Sequence, residues 1–233
     1  DNLLAKLIKA RILAEPQVNR GEEAVQLLQE MVGASPDNIT AVVSLVDTLQ
    51  KQGRINEAIK ATELFLSFRP NNYPMTAILG SLYEMQGDYE RAVANHEKAL
   101  SLDPSRPEAM NNLAYMYALT GKNLDRARQL AEMALQRLPG NVSVMDTLGL
   151  VRMQQGDYAG AAELFNRALA ISDSPTYRYH LAQAYWKSGQ REKAEQQLEQ
   201  ALLKEFPHRK YAEQLLMEIR SGAINPQSVS PTG

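Results

Sequence analysis

Three histidines, His96, His180 and His208, are the side chains of this chain best suited to acid–base or metal chemistry, and there is no cysteine to join them. A catalytic base needs a nucleophile within reach, and a metal needs several ligands at set spacing. Neither pattern is present: the chain holds no HExxH, no GxxxxGK[ST] phosphate loop and no GxSxG turn. The Gly-Asp-Tyr triplets at 87–89 and 156–158 read as helix stops, not as phosphate cradles. The carboxylates fare no better, because Glu22, Glu23 and Glu192 stand at helix starts, where negative charge meets the positive end of the helix dipole. We therefore read the histidines as structural or surface residues, and the chain as non-catalytic, with no metal and no cofactor.

What remains is recognition, and composition narrows its kind. The 233 residues include 25 basic and 27 acidic side chains, a balance that argues against nucleic acid or an anionic membrane surface as partner. No run of 18 or more apolar residues occurs, so direct membrane insertion by a helix is not expected. The hydrophobic fraction of 44% is dominated by Ala and Leu, which favours helix over sheet. The chain opens Asp1-Asn2-Leu3 inside an amphipathic pattern, which reads as a mature or excised piece.

The elements that position the side chains are clearest between Tyr73 and Arg106. Leu79, Gly80 and Tyr83 lie on one amphipathic helix, Gly87-Asp88 makes a turn, and Ala92, Ala99 and Leu100 recur on a second helix that Asp103-Pro104 stops. Small residues at Gly80, Ala92 and Ala99 allow two helices to approach closely. A pair of helices of about 14 residues each cannot bury such a face alone, so the pattern should repeat.

It does, with a period of about 34 residues. Windows 5–38, 39–72, 73–106, 107–141, 142–174 and 175–208 each give a helix pair, and 208–221 gives one further amphipathic helix suited to capping the stack. In the first window Ile8 and Ile12 are expected to face the core, with Ala24, Leu28 and Met31 on the next helix and Pro16 in the turn. The fourth carries one extra residue in its turn, Gly121-Lys122-Asn123-Leu124. Asp37 or Asn38, Asn72, Ser105 and Asn141 stand where N-caps belong, and Gly53, Gly87, Gly121, Gly156 and Gly189 where left-handed helix ends belong. In the last helix Tyr211, Ala212, Leu215, Leu216 and Ile219 form the apolar face. The tail, 222–233, is expected to be irregular; Ile224 and Val229, near two prolines, raise self-association by an extended segment lying on a neighbouring molecule.

The spacing Leu79-Gly80-x-x-Tyr83, Ala92, Ala99 and Pro104 resembles the tetratricopeptide repeat, with Thr76, Met110 and Met145 in place of its usual Trp. The resemblance implies an all-α fold: an α-solenoid of antiparallel helix pairs forming a right-handed superhelix, about six repeats plus a C-terminal capping helix, in a single domain over 1–221. It further implies that first helices line a concave groove holding a partner protein. The phrases Asn111-Asn112-Leu113-Ala114-Tyr115, Asp146-Thr147-Leu148-Gly149 and Tyr179-His180-Leu181-Ala182 resemble large bacterial members linked to exopolysaccharide production and envelope sorting. That resemblance places the chain in the bacterial periplasm or envelope in preference to the cytoplasm.

On that register the groove positions include Asp47, Gln50, Ser81, Glu84, Glu108, Asn111, Tyr115, Asp146, Leu150, Met153, Tyr179, Gln183 and Trp186. Members that grip a peptide's terminal carboxylate use Lys and Arg at the fifth and ninth positions; no repeat from residue 39 onward has either there, so a carboxylate clamp is not expected. Asp47, Glu84, Glu108 and Asp146 lend the groove acidity, and its C-terminal end is aromatic and apolar. The expected ligand is a protein or peptide segment with apolar anchors and some basic charge. Tyr83, Tyr117 and Tyr185 are expected to pack in the core instead. Two other readings are an assembly factor for envelope or polysaccharide export, and a repeat segment of a larger enzyme such as a glycosyltransferase. The glycosyltransferase reading would favour a ladder of asparagines at the sixth position, where only Asn112 stands among Ile78, Thr147 and His180.

Overall fold

The computed structural model describes residues 3–15 and 17–222, and contains thirteen α-helices and no strand among them. Pro16 and the tail with Ile224 and Val229 lie outside the described residues. The helices fall into two compact units, the first ending at Ser105 and the second beginning at Arg106.

The first unit holds three consecutive helix pairs: α1 (Leu3–Leu13) with α2 (Gly21–Ala34), α3 (Ile39–Lys51) with α4 (Ile55–Phe68), and α5 (Tyr73–Gln86) with α6 (Tyr89–Leu102). The second holds α7 (Pro107–Thr120) with α8 (Leu124–Arg137), α9 (Val142–Gln154) with α10 (Tyr158–Ile171), and α11 (Pro175–Lys187) with α12 (Arg191–Ala201), followed by the single helix α13 (Arg209–Arg220). Within each unit, every helix packs on the next one in the chain.

Short polar side chains set where helices begin. Asn38, Asn72 and Asn141 each accept a hydrogen bond from the backbone N–H three residues on, at 3.2, 3.0 and 3.1 Å. These bonds satisfy donors that have no partner inside the helix. Asp88 and Asp157 do the same for α6 and α10, so the Gly-Asp-Tyr triplets stop one helix and start the next. Gly87, at φ 84°, takes the left-handed conformation that lets the chain reverse in so few residues. Ser105 differs from expectation. Its hydroxyl donates to Asp103 at 2.8 Å, and α7 starts at Pro107 with no side-chain cap, the fixed φ of proline serving at the first helical position. In the longer turn of the fourth repeat, Asn123 is itself left-handed, at φ 49°, and absorbs the extra residue.

Packing between paired helices turns on two facing positions. A Cβ added to Gly80 would lie 2.8 Å from the His96 ring, and one added to Gly149 would lie 2.4 Å from the Phe165 ring. Each ring on the second helix of a pair thus occupies the space that its glycine leaves open. Equivalent positions elsewhere match Val46 with Thr62, Ala114 with Ala131 and Ala182 with Leu198. Where the second residue is an aromatic ring, the first is glycine. His96 is consequently core, and burial lowers its pKa to about 4.

Two of the position-11 tyrosines, Tyr83 and Tyr185, join neighbouring pairs. Tyr83 is buried and its hydroxyl donates to Glu63 of α4 at 2.5 Å, while the Arg91 guanidinium sits 4.4 Å from its ring centre. Tyr117 is buried as well. Tyr185 is half-buried, and its hydroxyl accepts from Asn166 of α10 at 3.2 Å.

Both end helices depart from expectation. Ile8 and Ile12 are 51% and 56% exposed, and Ala10 and Leu13 are the buried residues of α1. The helix is rotated so that its smaller side chain, Ala10, meets the neighbouring helices, as close approach requires. On α13, Ala212, Leu216 and Ile219 close the core of the last pair against Ala194 and Leu198, but Tyr211 is 60% exposed and stands outside that face.

Candidate partner-binding faces

In the first unit the candidate residues sit on α3 and α5. Asp47 is exposed and forms an ion pair with Lys51 one turn along, at 2.8 Å, so its charge is neutralised on its own helix. Gln50 is half-buried, and its Nε2 donates to Met85 Sδ at 3.4 Å, linking the two helices. Ser81 and Glu84 are half-buried. Burial raises the Glu84 carboxyl above its usual range, because the charged form has lost water. This face is weakly acidic.

In the second unit the candidates lie on three first helices. Glu108, Asn111 and Tyr115 follow one another along α7; Asp146, Leu150 and Met153 along α9; Tyr179, Gln183 and Trp186 along α11. Glu108 is exposed, Tyr115, Leu150, Met153, Gln183 and Trp186 are half-buried, and Asn111 and Tyr179 are buried. Leu150 and Met153 rest on the cluster built from Ala161, Phe165, Leu181 and Ala184, and Trp186 rests on the cluster that α13 completes. Leu150, Met153 and Trp186 therefore each have one side against the core and another toward solvent.

Asp146 is not an open charge. Its Oδ1 lies 2.7 Å from His180 Nδ1, with side chains 15% and 10% exposed, which ties α9 to α11. Around this pair gathers a ring cluster: Tyr179 stacks on His208 with centroids 5.7 Å apart, His180 lies 6.0 Å from His208, and Phe206 and Tyr211 complete the edge. Burial lowers the His208 pKa, the neighbouring His180 lowers it further, and Asp146 opposes both. Burial raises the Tyr177 phenol, with a contribution from the Asp146 charge, and burial raises that of Tyr179, against the Gln183 amide that donates to its hydroxyl at 2.9 Å.

From the sequence, His180 and His208 read as structural or surface residues, with no link drawn to Asp146. The signal was present, since Asp146 and His180 are 34 residues apart, one repeat period, which places them on adjacent first helices at neighbouring positions. No group of three or more His, Cys, Asp or Glu side chains able to hold a metal occurs among the described residues.

Helix pairs of this length, capped and packed in this way, define the tetratricopeptide fold. A family model described as tetratricopeptide repeat matches residues 17–74 and 152–216, and a second of the same description matches 78–142. The chain belongs to the tetratricopeptide repeat family. Among curated proteins it is similar to the human protein O-mannosyl-transferase TMTC1, 29% identical over 167 residues, which cover 70% of this chain and 19% of that protein. It is also similar to cellulose synthase operon protein C of Pseudomonas fluorescens SBW25, 25% identical over 189 residues, 77% of this chain and 14% of the relative. The chain thus spans about a fifth or less of either relative's length.

Among solved structures, a tetratricopeptide repeat protein from Parabacteroides merdae superposes with a TM-score of 0.74 at 17% identity, covering 96% of this chain and 94% of the other. PilW, described as a widely conserved type IV pilus biogenesis factor, superposes with 0.73 at 17% identity, covering 93% of this chain and all of that one. At that identity the likeness is one of fold.

Proposed function

We propose that this chain is a non-catalytic scaffold that holds an extended segment of a partner protein on the first-helix face of its second unit. The observation that carries the reading is the row of half-buried apolar side chains, Tyr115, Leu150, Met153 and Trp186, on three successive first helices. Core clusters back Leu150, Met153 and Trp186, so a ligand meets these side chains already ordered and loses little entropy in binding. Aromatic and large apolar anchors of this kind are where binding energy concentrates. The acidic component of the expected ligand preference is narrower than the sequence implied, because Asp47 and Asp146 already have partners. Glu108 remains exposed beside the row.

The setting we favour is assembly at a bacterial envelope. Support comes from the likeness to cellulose synthase operon protein C and from the fold shared with PilW. A second reading, a repeat segment of a larger enzyme, is supported by the likeness to a protein O-mannosyl-transferase of which this chain spans 19%.

The test is binding of the chain to a library of extended peptides with apolar and basic residues, measured before and after Tyr115→Ala and Leu150→Glu, with circular dichroism to confirm folding. Affinity should fall at least tenfold for folded variants. Unchanged binding would remove this face from the function.

A further inference from the structure

Asn111 carries the one buried side-chain polar atom without a hydrogen-bond partner among the described residues, its Oδ1, in a residue only 9% exposed. A buried amide oxygen with no hydrogen-bond donor is destabilising, and an apolar residue of similar size would suit the packing better. The next repeat shows what a paired version looks like. Asp146 holds the same repeat position on α9, and its Oδ1 is met by His180 of α11 at 2.7 Å. The residue at the position of His180 in the α7–α9 pair is Thr147, and it supplies no donor to Asn111 Oδ1.

The surroundings specify what is missing. Glu108 stands three residues before Asn111 on α7 and Tyr115 four residues after, so the three share one helix face. Glu108 is exposed and Tyr115 is half-buried. Asp47 is paired with Lys51 and Asp146 is hydrogen-bonded to His180, whereas Glu108 has no ion-pair partner among the described residues. A carboxylate at the rim, an unmet acceptor at the floor and an aromatic ring alongside match one chemistry: an N–H-bearing cation on an aliphatic stem. A neutral backbone amide would use the floor but leave the carboxylate unanswered.

We propose that Glu108, Asn111 and Tyr115 form the seat for a basic side chain of the ligand, Asn111 Oδ1 accepting one N–H, Glu108 supplying the opposite charge and the Tyr115 ring covering the stem. That oxygen is closed to solvent in the free chain, so the donor reaches it through a local side-chain rearrangement on binding. This inference rests on the reading of the first-helix face as the binding face.

The experiment is an NMR titration of the isotope-labelled full chain with the acetylated, amidated pentapeptide Ala-Ala-Lys-Ala-Ala and with its norleucine counterpart, which has the same backbone and no charge. The lysine peptide should shift the Asn111 side-chain amide and the Glu108 and Tyr115 signals, and bind at least fivefold more tightly than the norleucine peptide. Asn111→Leu should raise the thermal midpoint while abolishing that preference, a pairing of effects that a purely structural asparagine would not give. Glu108→Gln should reduce the preference at an unchanged midpoint. If both peptides shift the inner faces of α7, α9 and α11 equally, the basic seat is wrong and the binding face stands. If shifts fall only on the second helices α8 and α10, the binding face is wrong as well. No binding of the lysine peptide at millimolar concentration, or a lowered midpoint with intact preference in Asn111→Leu, would overturn the seat.

Discussion

Replacing His96 by phenylalanine should remove most of the acid sensitivity of the first unit between pH 7 and pH 5. His96 lies under Gly80 and is 2% exposed, with no room for the water a charged imidazole would need. Its pKa falls from 6.5 in the unfolded chain to about 4 in the folded one. The unfolded state therefore binds the proton more readily, and the stabilisation is complete above the unfolded value and lost as pH falls toward the folded one. Each pKa unit is worth about 1.4 kcal/mol, so the full loss is about 3 kcal/mol, of which about 2 kcal/mol falls between pH 7 and pH 5. That window lies above the ordinary carboxylate range; Glu84, whose carboxyl burial raises, contributes with the opposite sign and equally in wild type and variant. Phenylalanine is the fitting substitute, because Gly149 already accommodates Phe165 in the equivalent place. Urea unfolding followed by circular dichroism at pH 7, 6 and 5, with hydrogen exchange on α5 and α6 amides to localise the change, gives the comparison. Wild type and His96→Phe losing equal stability over this range would refute the claim that His96 is buried neutral.

Further outcomes follow from the same packing. Gly149→Ala places a methyl 2.4 Å from the Phe165 ring and should destabilise the second unit by about 1–3 kcal/mol in urea melts; adding Phe165→Leu should recover part of the loss. Asn141→Ala removes the cap on Val144 N–H and should cost about 1 kcal/mol by the same measurement. Asp146→Ala leaves the buried His180 without its carboxylate and should lower the thermal midpoint, whereas Asp47→Ala, which breaks only an exposed pair, should leave it nearly unchanged. His208, whose pKa is lowered by burial and by His180, should make α13 less protected from hydrogen exchange as pH drops below the ordinary histidine range, and His208→Gln should blunt that change.

The helix pairs were legible because their signals are local. A cap, a glycine turn and a face of small residues each need only a few consecutive positions, and Asn38, Asn72, Gly87 and Gly156 announce the boundaries they make. The end helices were less so. Ile8, Ile12 and Tyr211 have the right spacing for an inward face, yet a terminal helix has a neighbour on one side only, and its rotation is decided by which small residue the neighbour accepts. Charges on the candidate faces are hard to judge from sequence for a related reason. The sequence shows Asp146 as an acidic position, but its partner lies one repeat away on another helix, and only the repeat register connects them. Asn111 looked like any other polar groove residue, and its missing donor became visible only with the packing around it.

The central claim, that first helices of the second unit hold a partner protein, is tested most directly by site-specific photo-crosslinking in native extract. A photoreactive side chain at Leu150, on the inner row, is compared with one at Glu163, exposed on the second helix α10. The account predicts a discrete crosslinked partner from position 150, competed away by excess unlabelled chain, and none from position 163. Crosslinking of the same partner from position 163 alone would contradict it.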